Sequence, residues 1–188
     1  YGVENITIVQ KRWEEVDVAR DLDPPYDVVV ASFSLGMMDI RDAIEKMIQA
    51  SSRYIYLYHF AGESTWGRMW KELWPRLHGK DYICGPMSDV LYNVLYQMGI
   101  YPNITTFRMR HDQRHSTLED AVAELAPQAR ADTKEQKAVL RDYLEKAMKW
   151  EEGAFVLNGS SIRVKIWWEK QEDRSCGYGP QEDSAARI

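Results

Sequence analysis

His111 and His115 stand four residues apart, the spacing at which a helix would offer both imidazoles to one metal ion. They fall in a polar turn, HDQRHS, with no third ligand nearby, so the sequence favours a solvated loop. Cys84 and Cys176 form no CxxC pair; a reduced, cytoplasmic setting is expected rather than a disulfide framework or a zinc site. His59 ends the apolar run RYIYLYHF, where it could take a proton from a hydroxyl or amine nucleophile. A histidine at a strand end serves equally as a structural hydrogen-bond partner. Trp66, Trp70 and Trp74 recur every fourth residue and share one side of a helix, as core or as a lid over an apolar substrate. No GxSxG, P-loop or HExxH motif is present. The GxG at Gly177-Tyr178-Gly179 sits beside Pro180 in a polar tail, without a strand before it or a helix after it.

The elements that must position these groups alternate. Asn5–Gln10 (NITIVQ) is short and β-branched, hence a strand, and a polar stretch with helical potential runs from Trp13 to Asp23 before Pro24-Pro25 ends it. Asp27–Phe33 (DVVVASF) is apolar on both alternations, the pattern of a strand buried on both faces. Asp39 caps a helix whose apolar positions Ile40, Ala43, Ile44, Met47 and Ile48 keep helical spacing. Arg53–Phe60 is again a strand. The first sixty or so residues therefore read β-α-β-α-β, which implies a parallel α/β sheet.

Ser64 begins a helix that Pro75 should bend or end, and Ser88 caps another, closed by Gly99. Ile104–Met109 is a strand. Residues 112–152 read as a helical pair with capping boxes at Ser116/Glu119 and Thr133/Gln136, ended by Gly153. Ser161–Trp168 is the last strand, and the polar tail 171–188 is expected to be disordered.

The order of these elements, with the run YDVVVASFSLGMMD, resembles the C-terminal two-thirds of the class I S-adenosylmethionine-dependent methyltransferases over residues 1–170. The resemblance implies an incomplete Rossmann-like domain. It comprises family strands 3, 4, 5, 7 and 6, helices on both faces, an antiparallel last strand and the 112–152 insertion between the final two strands. Strands 1 and 2 of the family order 3-2-1-4-5-7-6 have no counterpart, and with them go the glycine-rich turn and the ribose-binding carboxylate. The first residue is Tyr1 and a strand follows at once, so a piece of something longer is expected. In the family an acidic residue after strand 3 faces the adenine; here Arg12 takes that position with Trp13 beside it, and Trp13 either stacks on adenine or packs the first helix. Ser32 and Phe33 are implied to line the cofactor; Ser34, Met37, Tyr58 and Trp66 to line the acceptor. The loop SFSLGMMD lacks the Asn-Pro-Pro-Tyr-like signature of enzymes that methylate base amines.

The implied activity is methyl transfer from S-adenosylmethionine to a small molecule, with this stretch inactive by itself. The alternative is a degenerate, non-enzymatic binding domain, which Arg12 and the missing glycine turn favour. A net charge of −5 makes nucleic acid an unexpected partner, and no apolar run approaches the roughly 20 residues that span a bilayer. Without strand 1 the edge of strand 4 is unpaired. Either strand 3 moves in beside it or two chains pair there as a homodimer.

Overall fold

A computed structural model describes residues 4–170 of the 188; the tail at 171–188, with Gly177-Tyr178-Gly179, lies outside the described residues. After a 3-10 turn at Trp13–Glu15 come α1 (Val18–Asp21), β1 (Tyr26–Ser32), α2 (Ile40–Ala50), β2 (Ser51–Phe60), α3 (Thr65–His78) and α4 (Ser88–Gln97). The chain continues through β3 (Asn103–Arg110), β4 (Gln113–His115), α5 (Leu118–Ala129), α6 (Lys134–Ala147), β5 (Lys149–Glu151), β6 (Ala154–Leu157) and β7 (Ser160–Glu169).

The main sheet has the order β1-β2-β7-β3. β1 and β2 are parallel, with Val28 opposite Tyr54 and Ser32 opposite Tyr58, and α2 provides the crossover. β7 lies antiparallel between β2 and β3. Strand pleating separates two faces. One carries Val29, Ala31, Ile55, Leu57, Val164, Ile166 and Trp168, and it packs on Ile44 and Met47 of α2 and Leu91 and Leu95 of α4. Each fully buried leucine or isoleucine here stabilises the lobe by about 2 kcal/mol.

Local chemistry explains where these helices start and stop. The Asp39 carboxylate accepts from the Asp42 amide at the head of α2. α4 ends in a Schellman motif: Gly99 has φ of 76°, its amide bonds Tyr96 O, and the Ile100 amide reaches back to Leu95 O. α3 is capped by Ser64 and, despite Pro75, runs to His78, where Gly79 closes it with φ of 66°. The amide that Pro75 lacks is lost in the final turns alone, so the helix ends close behind the proline without breaking at it.

Four expectations about strands and layers are corrected. Asn5–Gln10 is not a strand: Ile6 and Ile8 are 68% and 78% exposed and lie in no element. A strand forms against a partner, and among the described residues this segment has none: it pairs with no strand and does not move in beside β1. β1 is not buried on both faces, because Val28 and Val30 are 48% and 56% exposed. Helices do not cover both faces of the main sheet. The face bearing Val30, Tyr56, Tyr58, Trp167 and Phe107 contributes no residue to either core cluster; its rings shield one another instead, as in the stacked Tyr56–Trp167 pair at 5.8 Å. The 112–152 insertion is not purely helical either, since β4, β6 and β5 form a second, three-stranded sheet that reaches to Leu157.

That second sheet and its helices make their own core. Leu118, Leu125, Leu140 and Leu144 from α5 and α6 meet Met69, Leu73 and Leu77 from α3, so α3 packs in the insertion lobe. The Thr133/Gln136 capping box is present in full, while the first box is Thr117 with Asp120, one residue beyond the expected pair. Gly153 does not end α6, which stops at Ala147; its φ of 77° turns β5 into β6. Met87 precedes α4 without a side-chain cap, and Ser88 is its first residue.

Candidate functional site

The unpaired edge of β1 forms one wall of a cleft of about 560 Å3. The 3-10 turn supplies the opposite wall through Arg12, Trp13 and Glu14, and the loop after β1 closes the end with Ser34 and Met37. This turn is clipped to α2 twice. Trp13 Nε1 donates to Ala43 O at 3.1 Å, and Lys46 Nζ donates to Glu14 O at 2.8 Å. Trp13 therefore packs on α2 and lines the cleft at once. Arg12, Trp13, Ser34 and Met37, singled out from the sequence, come together here; Glu14, which sequence reasoning missed, joins them.

β1 ends in a strained turn. Phe33 has φ of 53°, a region that residues with a side chain seldom occupy, and its amide bonds Tyr58 O at 3.0 Å. The turn swings the Phe33 ring onto Phe60 at 5.1 Å, and the Arg163 guanidinium lies over Phe33 at 4.6 Å. Ser32 is exposed at the strand end. Tyr58, paired opposite Ser32 and Lys165, faces the open side of the sheet; Phe60, two residues on, reaches the next cleft.

That second cleft, about 520 Å3, lies beyond Phe60 against the insertion lobe. Trp66 and Trp70 form its aromatic side, and His111, Asp112, Gln113 and Gln128 its polar side. Thr65 and Ser160 lock the start of α3 to the start of β7: the Ser160 amide donates to Thr65 Oγ1 at 3.0 Å. The buried stripe of α3 is Met69, Leu73 and Leu77, which leaves Trp66, Trp70 and Trp74 half-buried along its flank. A third cleft, about 460 Å3, continues along Trp70 and Trp74 and shares Trp70 and Gln128 with the second.

The histidines rearrange the sequence reading. His111 and His115 do not lie in a solvated loop. His115 is buried in β4 with Nδ1 3.6 Å from Glu124, and His111 stacks on Trp66 with ring centroids 6.2 Å apart. Among the described residues no three His, Cys, Asp or Glu groups are placed to hold a metal. His111 is fixed through its backbone, whose amide donates to Gly159 O at 3.0 Å, while the Gly159 amide donates to Asp112 Oδ1 at 3.0 Å. That bond and Arg110 hold the Asp112 carboxyl below the usual range. His59 lines none of the three clefts: its Nδ1 accepts from the Phe60 amide at 2.7 Å, and burial pushes the imidazole below its ordinary value. The sequence singled out His111 for its spacing from His115 and not for this setting, because its partners Trp66 and Gly159 belong to distant elements.

Two solved bacterial structures share this architecture. One is a protein of Bacillus halodurans C-125 provisionally assigned as a methyltransferase, and the other is the YcgJ protein of Bacillus subtilis. Each superposes with a TM-score of 0.52 at 12% identity, over 91% of this chain and 74% of the other. No family model matches the sequence, and no curated protein matches it. The chain has the α/β fold of a methyltransferase. Among its described residues, no helix is long and apolar enough to cross a membrane.

Proposed function

We propose that the chain is the acceptor-side portion of an S-adenosylmethionine-dependent methyltransferase acting on a small molecule. One observation carries this reading: the Phe33–Phe60 pair links the cleft at the β1 edge to the cleft beyond Phe60. Phe33 adjoins Ser34 of the first, and its ring touches Phe60 of the second. Two sites linked at the C-terminal ends of parallel strands suit a two-substrate transfer.

The described residues fit the adenine end of the cofactor. Trp13 offers an aromatic face and Val29, Ala31, Met37 and Met47 an apolar slot, with Glu14 at its mouth. Bound there, the cofactor supplies an electrophilic methyl group. What this chain does is hold the acceptor in line and keep water away, and positioning of this kind accounts for much of such a rate enhancement.

Isothermal titration with S-adenosylhomocysteine tests the reading. Saturable heat that disappears in Trp13→Ala and persists in Trp66→Ala is the expected result. A second reading, a methyltransferase-like domain kept for partner contacts, draws on Arg12 standing where the family has an acid and on the absence of a glycine turn among the described residues. No heat at millimolar ligand would remove the cofactor cleft at the β1 edge from this chain, as this second reading expects.

A further inference from the structure

We infer that the second and third clefts form one trough for a planar aromatic acceptor, and that His111 takes the proton the acceptor loses. This rests on the methyl-transfer reading and names the substrate class of the same site. The floor is the tryptophan row of α3, with Trp66 and Trp70 rings 6.4 Å apart and inclined by 30°. Trp66 and Trp70 pack against the core beside the buried stripe Met69, Leu73 and Leu77, but only in part, so each indole also lines the cleft. Half-open indole faces in a row bind flat rings by stacking and offer an aliphatic chain much less.

The polar end of the trough is built around one imidazole. His111 lies nearly parallel to Trp66, at 22°, and its Nδ1 is sealed from solvent without a partner. Proton exchange therefore falls to Nε2. That edge passes close to Gly159, where a Cβ would come within 2.8 Å of Cδ2 and 3.0 Å of Nε2, so only glycine leaves the imidazole in this place. Gln113 Oε1, also buried and unpartnered, adds an acceptor in the same cleft. Phe60 lines the same cleft as His111, and its ring meets Phe33 at the turn after β1.

In the transfer the acceptor's hydroxyl or amine lone pair forms the new bond to the methyl carbon. The carbon–sulfur bond breaks with its electron pair going to sulfur, whose positive charge is lost. The O–H or N–H proton moves to His111 Nε2, and the resulting imidazolium releases it to water. Charge and atoms balance without a further reactant.

The test uses the full chain and three probes: 5-hydroxyindole, indole and cyclohexanol. The indole N–H signals of the seven tryptophans report where each probe sits. The expected result is saturable shifts at Trp66 and Trp70, none at Trp13 or Trp150, and no response to cyclohexanol. 5-Hydroxyindole should bind about tenfold tighter than indole, the worth of one buried hydrogen bond to the hydroxyl. His111→Phe keeps a ring on Trp66 and should level the two affinities. Trp70→Leu should weaken both aromatic probes about tenfold and leave the hydroxyl preference intact. Unmoved signals from Trp13, on the main-sheet core, and from Trp150, against Phe155 of the second sheet, certify the fold of each variant. Equal binding of cyclohexanol, shifts spread over all tryptophans, or a hydroxyl preference that survives His111→Phe overturns the inference. Aromatic binding without S-adenosylhomocysteine binding would keep the trough and remove the methyl-transfer reading, so the two failures are distinguishable.

Discussion

Trp13 holds two roles with different physical terms, and substitution separates them. Phenylalanine keeps an aromatic face in the cleft but loses the bond from Nε1 to Ala43 O. Trp13→Phe is expected to lower stability by about 1 kcal/mol in chemical denaturation while leaving S-adenosylhomocysteine binding within a few-fold. Trp13→Ala removes both and should abolish binding. His59 offers a pH reading at the same scale. Its Nδ1 faces the Phe60 amide at 2.7 Å, an arrangement that only a neutral imidazole accepts, and burial disfavours its charged form. The folded state thus binds fewer protons at this site than the unfolded chain as pH falls below about 6.5. Stability contributed by neutral His59 is present above that value and is lost as pH drops toward the lower folded value. Denaturation midpoints of His59→Gln should lose this acid-side slope; an unchanged slope would place its origin elsewhere.

Helix ends show what single residues do for whole elements. In the second capping box Thr133 Oγ1 accepts from the Gln136 amide at 3.2 Å, and Gln136 Oε1 accepts from the Thr133 amide at 3.1 Å. Thr133→Ala is expected to cost about 1 kcal/mol, read from the thermal midpoint. Gly79→Ala should cost a similar amount for another reason. No atom lies within 4 Å of a Cβ placed there, so the loss comes from the left-handed backbone alone, about 1 kcal/mol. These boundaries were legible because caps are local chemistry, and the first box slipped by one residue because Thr117 and Asp120 offer the same reciprocal pairing as Ser116 and Glu119. The main strands were legible from apolar runs. The three-residue strands β4 and β5 and the four-residue β6 were not, since so short a segment carries no period that a turn lacks. The cleft residues Trp13, Ser34 and Met37 could be named through the family resemblance, although the strand expected before Trp13 does not form, whereas the role of His111 depended on a stacking partner that only the fold brings near.

At the scale of the molecule the two lobes differ in how completely they bury their apolar surface. The insertion lobe closes on itself around Leu125, Leu140 and Leu144, all fully buried. The main sheet does not. Among the described residues β1 has a neighbour on one side only, and the face beside that free edge exposes Val28 and Val30, with Phe107 39% and Met109 42% accessible across the sheet. An apolar edge with unsatisfied backbone groups recruits another strand, and no described segment of this chain supplies one. Self-association through β1 follows as the whole-molecule expectation. Light scattering at micromolar concentration should give twice the 21.9 kDa of one chain. A lysine at an edge position disfavours strand pairing by forcing charge against its copy, so Val30→Lys should return the mass to that of a single chain without lowering the thermal midpoint of the insertion lobe. A wild-type chain that stays monomeric across the same range would show that the rings on the open face and the 3-10 turn at Trp13–Glu15 shield the edge well enough, and the dimer would be discarded.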